Sequence, residues 1–138
     1  MADIKFQENL VQLGAGIETC LEKKLTTSAL VLLYSAIDIT SWLAADDLNA
    51  SVRAYFTTWV EKYLLSAIPL GITALELYAA RCGLIHTFTP DSRLVEQGKA
   101  RRIVYAWGTA KSTDLQELID KTKWSDKLVR KKGRSLII

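Results

Sequence analysis

Apolar side chains recur every three or four residues in four successive stretches of the chain, and this periodicity constrains the fold more than any other feature. The stretches are residues 6–24, 26–45, 51–67 and 72–86. In the first, the spaced side chains are Phe6, Leu10, Leu13, Ile17 and Leu21. Such spacing places side chains on one face of an α-helix. We therefore expect a mainly α fold, built as a helical bundle.

Residues that begin and end helices stand at the borders of these stretches. The candidate N-caps are Thr26 or Thr27, Ser51 and Thr73, whose side-chain oxygens can accept from a backbone N–H of the first turn. Pro69 and Gly71 interrupt the pattern before the fourth helix. A short helix is also predicted over residues 92–97, with Gly98 at its end.

The pattern changes towards the C-terminus. Ile103, Val104, Tyr105 and Trp107 are residue types that favour a β-strand. Residues 128–138 favour two short strands that turn at Lys132 and Gly133, and a short helix is predicted between them and the first strand, over residues 112–122. We expect a small C-terminal β appendage on the helical bundle.

Length and composition favour one soluble domain. The 138 residues are 49% apolar, and a chain of this length buries about 68–70% of its unfolded surface. We expect a single domain over residues 1–138, with a helical core at about 5–98 and a basic segment at about 99–138. The longest uncharged runs, 25–37 and 63–75, have thirteen residues, fewer than the roughly 18 of a membrane span. Because no signal-peptide pattern is visible, a cytoplasmic location without membrane contact is expected.

Several classes of site are disfavoured by the composition. One histidine and two cysteines do not supply a common zinc site within one chain. No motif for a phosphate loop, a dinucleotide, a zinc protease or a serine hydrolase occurs. We expect no cofactor and no metal, and we expect Cys20 and Cys82 to be reduced, buried thiols.

The second predicted helix has two contrasting faces. The core face comprises Ala29, Leu30, Leu32, Leu33, Ala36, Ile37, Leu43 and Ala44. The opposite face mixes aromatic and small polar side chains: Val31, Tyr34, Ser35, Asp38, Ser41 and Trp42. We expect this mixed face to meet a partner, either another subunit or a site. A buried carboxylate at Asp38 would need an arginine or hydrogen bonds; alternatively Asp38 faces solvent or holds Arg53.

Positive charge is concentrated in the second part of the chain. Residues 1–86 carry six Lys/Arg and nine Asp/Glu, whereas residues 87–138 carry twelve and six, which gives net charges of −3 and +6. Such a distribution suits a polyanionic partner such as RNA. The candidate RNA-binding residues are Arg101, Arg102, Lys127, Arg130, Lys131, Lys132 and Arg134. The alternative is that the basic end is a solvated tail.

His86 is the only histidine, five residues after Arg81 at the end of the fourth predicted helix. In a straight helix their side chains point about 140° apart. Gly83 lies between them, and a glycine is tolerated in a helix where the last turn loosens or where another backbone comes close. Loosening would let the two side chains converge. A turn, Thr89-Pro90-Asp91-Ser92, follows at once.

The segment Arg81-Cys82-Gly83-Leu84-Ile85-His86 resembles the R-x4-H form of the R-x4-6-H motif of the HEPN superfamily. These all-helical domains include many metal-independent ribonucleases of toxin–antitoxin and phage-defence systems. The resemblance extends over about residues 25–107. Two positions depart from the family pattern. Members often carry a polar residue directly after the motif arginine, where this chain has Cys82, and toxin-type members carry a tyrosine two residues after the histidine, where this chain has Phe88.

The resemblance implies a metal-independent endoribonuclease in which the ribose 2′-hydroxyl attacks the adjacent phosphate. Arg81 would bind the phosphate and His86 would act as general base or acid. The site would be shared across a homodimer, with the mixed face of the second helix as candidate interface. Implied auxiliary residues are Asp38, Tyr34, Ser35 and Thr87. A regulatory protein such as an antitoxin is an implied partner beside RNA.

Three other interpretations stay open. His86 could interact with the helix C-terminal dipole while Arg81 forms a surface ion pair, for instance with Glu76. A HEPN-like module could bind RNA, a nucleotide or a protein without catalysis. A purely structural dimerisation protein would show no salt-dependent binding to nucleic acid.

Overall fold

The computed structural model describes residues 2–105, residues 111, 113, 114, 117 and 121, and residues 135–137. The chain is mainly helical, as predicted. It comprises two compact units, residues 1–60 and residues 61–138.

Three helices form the first unit: α1 (Ala2–Glu22), α2 (Thr26–Leu43) and α3 (Val52–Trp59). α2 packs against both α1 and α3. The predicted cap of α3 is confirmed, since Ser51 accepts a hydrogen bond from the Ala54 N–H at 3.2 Å. The predicted threonine cap of α2 is wrong, because Leu25 occupies the N-cap position without a side-chain hydrogen bond.

The buried face of α2 differs from the predicted one. The buried side chains are Ala29, Leu30, Tyr34, Ile37 and Ser41, so the predicted mixed face contributes two of them. Leu33 and Leu43, predicted as core, are 43% and 50% exposed. Apolar side chains occur on both faces of this helix, and apolar spacing alone therefore does not identify the buried one. Ser41 tolerates burial because its hydroxyl donates to the Asp38 carbonyl at 3.0 Å.

By length and composition, one helix within the described residues could cross a membrane: α2. Counting uncharged residues in the sequence did not identify this helix, because Asp38 divides it into two shorter uncharged runs. Core helices of soluble proteins also pass this test, and 28% of the window is buried in this structure.

A π-helical segment, Val60–Leu65, follows α3 directly. The second unit then contains α4 (Ala74–Thr87), α5 (Arg93–Glu96), β1 (Arg102–Val104) and β2 (Ser135–Ile137). α4 contacts both α5 and β1. The two strands pair in parallel, with Ile103 opposite Leu136, so each β-favouring segment supplies one strand. The predicted turn at Lys132 and Gly133 lies outside the described residues.

The ends of α4 follow from local hydrogen bonding. At its start, Thr73 Oγ1 accepts from the Glu76 N–H at 3.2 Å, and the Thr73 N–H donates to Glu76 Oε2 at 2.8 Å. This reciprocal pair is a capping box, and it confirms the predicted cap. At its end, Phe88 adopts a left-handed conformation and its N–H donates to the Leu84 carbonyl at 3.1 Å.

Candidate functional site

The motif residues lie on one regular helix. α4 continues through Thr87, so Arg81 and His86 differ by about 140° in direction and by about 7.5 Å along the axis. The loosened last turn that would let them converge is absent from α4. One chain therefore does not aim the two side chains at one point from this helix.

Gly83 instead allows the backbone of the turn after α4 to lie close against the helix. It is buried, and a Cβ at this position would lie 2.6 Å from the Thr89 carbonyl oxygen and 2.9 Å from the Asp91 carbonyl oxygen. Carbon and oxygen atoms do not pack at such distances, so only glycine fits here. The second expectation for Gly83, a neighbouring backbone, is thereby confirmed.

Two threonine hydroxyls fasten the turn after α4 to the helix. Thr87 Oγ1 donates to the Gly83 carbonyl at 2.7 Å and lies 2.7 Å from Thr89 Oγ1. The Asp91 N–H in turn donates to Thr89 Oγ1 at 3.3 Å. The Thr87 hydroxyl thus holds the turn against the helix, and its auxiliary role in catalysis stays a prediction.

Arg102 forms a buried ion pair with Asp91. Its Nε and Nη2 donate to Asp91 Oδ1 at 2.8 and 2.6 Å, and the two side chains are only 7% and 4% exposed. Arg102 was predicted to bind RNA, and this assignment is corrected: the carboxylate of the turn holds the guanidinium inside the protein, away from solvent phosphates.

Arg101 forms a second ion pair, with Glu76 at the start of α4. Arg101 Nε lies 2.5 Å from Glu76 Oε1, Nη2 lies 2.9 Å from Oε2, and Nη2 also donates to the Gly71 carbonyl at 3.0 Å. The hydrogen bonds from Arg101 lower the pKa of Glu76 from 4.5 to about 2, and Glu76 raises the pKa of Arg101. Glu76, the ion-pair partner considered for Arg81, is therefore held by Arg101.

Arg101 and Arg102 thus clamp the segments at both ends of α4. Consecutive residues at the start of a strand point to opposite sides, and here one binds the first turn of α4 while the other binds the turn after its last residue. We call these two ion pairs the arginine clamp. The charge asymmetry of the sequence is partly internal, because two of the twelve cations in residues 87–138 belong to this clamp.

The surroundings of the two motif side chains differ. The Arg81 guanidinium stacks over the Tyr78 ring, 5.9 Å from its centroid, and its Nη1 lies 3.9 Å from Cys82 Sγ. Arg81 is half-buried. Cys20 and Cys82 are free thiols, but both are half-buried, so the prediction that they are buried is wrong. His86 is exposed. A cation stacked on an aromatic ring is held in a defined orientation, while the imidazole is open to a ligand.

The other predicted auxiliary residues lie on α2 in the first unit. Tyr34 is 2% exposed. The Ser35 hydroxyl donates to the Val31 carbonyl at 2.8 Å. Asp38 is half-buried, with its Oδ1 atom withdrawn from solvent. Tyr34 of the mixed face is thus buried within the chain, whereas Trp42 of the same face is 51% exposed, and the partner expected at this face stays a prediction.

Phe88 was missed as a candidate residue. It is 74% exposed and directly follows the last residue of α4. In the sequence, Phe88 could have been noticed only from its position two residues after His86, outside the apolar stripe of the fourth predicted helix. Lys127, Arg130, Lys131, Lys132 and Arg134, predicted to bind RNA, lie outside the described residues.

Among the described residues, no group of three or more His, Cys, Asp or Glu side chains is placed to hold a metal ion. Comparison with protein-family models, with curated proteins and with solved structures found no match to this chain.

Proposed function

We propose that this chain is a metal-independent endoribonuclease of the toxin or phage-defence type, with a HEPN-like helical fold. The observation that carries the proposal is the exposure of the only histidine on the last turn of α4, a helix whose two ends are clamped by Arg101 and Arg102. A reactive imidazole on a fixed backbone is the arrangement that general acid–base catalysis needs.

The chemistry follows from the properties of the two motif side chains. The imidazole of His86 removes the proton from a ribose 2′-hydroxyl, whose oxygen then attacks the adjacent phosphorus. The bond from phosphorus to the 5′-oxygen breaks, and that oxygen takes a proton from an acid. Arg81 binds the phosphate oxygens as negative charge grows on them. The products carry a 2′,3′-cyclic phosphate and a 5′-hydroxyl.

A homodimer supplies what one chain lacks. Because Arg81 and His86 point in different directions on α4, and because the reaction needs both a base and an acid, the proposal places two copies of each residue in one cleft. The exposed apolar side chains at the end of α2, namely Ile39, Trp42 and Leu43, replace the buried Tyr34 side of that helix as the proposed dimer interface.

The setting of the enzyme follows from the activity. A free ribonuclease would degrade the RNA of its own cell, so the proposal includes a regulatory protein such as an antitoxin. It also places the protein in the cytoplasm, where its RNA substrate is found, and it requires neither a cofactor nor a metal.

The test is incubation of the purified protein with mixed single-stranded and structured RNA in excess EDTA. The parent should cleave, and His86→Ala should lower the cleavage rate by about 100-fold or more, the usual loss on removing a general acid or base. Arg81→Ala should do likewise. The matched control is Arg93→Ala, which removes an exposed arginine of α5 outside the motif and should leave cleavage unchanged. Intact RNA with all four proteins refutes the nuclease.

A second candidate function is a HEPN-like module that binds RNA, a nucleotide or a protein without catalysis. The observation that favours it is the 140° separation of Arg81 and His86 on an unbroken helix, which leaves one chain without a convergent pair. In that case RNA keeps its length in the same incubation, and salt-sensitive binding survives His86→Ala.

A further inference from the structure

Phe88 combines two features that are uncommon in one residue. Its φ of 52° and ψ of 27° place it in the left-handed region, and its side chain is 74% exposed. Gly71 and Gly98 occupy the same region elsewhere in the described chain, and Lys24 is the other non-glycine residue found there. Phe88 is therefore the only one of the four that presents a large apolar side chain to solvent.

The fold itself does not account for an aromatic side chain here. A left-handed backbone is unfavourable for a residue with a Cβ atom, and glycine at this helix-end position would avoid the cost. An exposed phenylalanine also forgoes the stabilisation that burial would provide. Both costs are borne at a position two residues after the exposed His86. Strained or unfavourable residues that persist in this way cluster at ligand-binding sites.

The backbone that carries Phe88 is held from both sides. The Phe88 N–H donates to the Leu84 carbonyl at 3.1 Å. The neighbouring threonines, Thr87 and Thr89, share a hydrogen bond of 2.7 Å, and the turn beyond them is fixed by the buried pair of Asp91 and Arg102. An aromatic ring on a preorganised backbone loses little conformational entropy when a flat ligand stacks on it.

We propose that Phe88 is a stacking platform for an unpaired base of RNA bound beside His86. This inference rests on the proposed function and narrows its substrate to RNA with a single-stranded nucleotide at the site. Bases splayed from single strands and loops stack on aromatic side chains, whereas bases inside a duplex are not accessible to them. The ring thereby positions the nucleotide while His86 reaches its ribose.

The experiment measures stacking separately from cleavage. The probe is a short single-stranded RNA in which 2-aminopurine replaces one base at each position in turn, with the same RNA annealed to its complement as the paired form. Stacking of 2-aminopurine on an aromatic ring quenches its fluorescence. The variants are Phe88→Gly, which suits the left-handed backbone, and Phe88→Trp, which keeps a stacking ring. His86→Ala allows binding to be measured without turnover.

Lys24→Gly is the matched control. Lys24 is exposed and has a φ of 58° at the end of α1, so this substitution makes the same backbone change at a helix end without the motif. Lys24→Gly also removes one positive charge. We expect only a small decrease in RNA affinity, which measures the non-specific contribution of a single cation. Both glycine variants should unfold at or above the temperature of the parent.

The expected result is that Phe88→Gly weakens single-stranded RNA binding by roughly 5- to 150-fold, the range for loss of one base–aromatic stack, and abolishes the quenching. Phe88→Trp should retain both. If Phe88→Gly binds single-stranded RNA as tightly as the parent, the inference is overturned, even if the parent cleaves RNA. It is also overturned if the parent does not bind RNA. Stacking that depends on Phe88 without cleavage upholds the inference and refutes the nuclease.

Discussion

Gly83 determines how closely the turn after α4 can lie against the helix. The turn carries the buried Asp91, and two of its backbone carbonyl oxygens, those of Thr89 and Asp91, occupy the space that a side chain at position 83 would fill. Because Arg102 holds Asp91 from the other side, the turn has little freedom to withdraw. The hydrogen-bonded threonine pair restricts it further.

Gly83→Ala should therefore destabilise the protein. Alanine favours a helix over glycine by about 1 kcal/mol, but overpacking against fixed backbone costs typically 1–3 kcal/mol, and distances of 2.6 and 2.9 Å to carbonyl oxygens place this site at the upper end. We expect a net loss of about 1–2 kcal/mol in the free energy of unfolding. Chemical denaturation followed by circular dichroism measures it.

The control for Gly83→Ala is Gly14→Ala in α1. A Cβ at Gly14 meets no atom within 4 Å, so only the gain in helix propensity remains, and the variant should be more stable by up to about 1 kcal/mol. If Gly83→Ala is stabilised to the same extent as Gly14→Ala, the turn does not press on α4 and the positioning of His86 needs another explanation.

At the scale of elements, the arginine clamp ties β1 to both ends of α4. Glu76 has two tasks in it, since its side chain closes the capping box with Thr73 and also binds Arg101. The first task needs only a hydrogen-bond acceptor, which glutamine also provides. The second task depends on the negative charge. A glutamine variant at this position therefore separates the clamp from the cap.

Glu76→Gln should change the dependence of stability on pH. The folded-state pKa of Glu76 is lowered from 4.5 to about 2 by the Arg101 hydrogen bonds, so its stabilisation is complete above pH 4.5 and is lost as the pH falls towards 2. At pH 7 the variant should lose about 1–2 kcal/mol, since a hydrogen bond to a charged group contributes about 1.5–3 kcal/mol and Arg101 is 37% exposed.

Urea unfolding of the parent and of Glu76→Gln at several pH values between 2 and 7 tests the clamp. The difference in free energy of unfolding between the two proteins should decrease as the pH falls from 4.5 towards 2. Glu117→Gln is a suitable control, since Glu117 is 64% exposed and pairs with Lys121 one helical turn away; it should shift stability by about 0.5 kcal/mol or less. If this difference stays constant over the whole pH range, the charge of Glu76 does not stabilise the arginine clamp.

The N-caps of α3 and α4 and the end of α5 could be predicted because their causes are local, whereas the threonine cap predicted for α2 was wrong. Ser51 and Thr73 begin helices with hydrogen bonds to residues three positions away, and Gly98 ends α5 with a positive φ. The helical identity of residues 74–87 follows from the same short-range pattern. Such interactions depend on neighbours in sequence, and the sequence displays those neighbours directly.

The arginine clamp and the inward face of α2 could not be predicted, because their causes are tertiary. Arg102 and Asp91 are eleven residues apart, and Arg101 and Glu76 are twenty-five apart, so nothing local distinguishes these arginines from solvent-facing ones. On α2 an apolar residue occurs on almost every side. For the site, the sequence indicated His86 and its helix, whereas the exposure of Phe88 depends on where the chain leaves α4.

At the scale of the whole molecule, the exposed apolar side chains of α2 form the surface where the proposed partner would bind. Ile39 and Leu43 lie one helical turn apart, 43% and 50% exposed, and Trp42 beside them is 51% exposed. Clustered apolar side chains on a protein surface mark interaction sites. We therefore propose that a second copy of this chain covers the cluster.

The double variant Ile39→Ser/Leu43→Ser should therefore weaken a dimer of the parent and its cleavage of RNA in parallel. Burial of one such side chain contributes about 1.5–3 kcal/mol, so loss of two on each chain should raise the dimer dissociation constant by at least about 100-fold. Sedimentation velocity over a range of protein concentrations measures the change. Val11→Ser, at a 72% exposed position of α1, should leave both dimer and cleavage intact. A parent that sediments as a monomer while cleaving RNA would show that one chain completes the site, and the partner expected at α2 would then be the regulatory protein instead of a second copy.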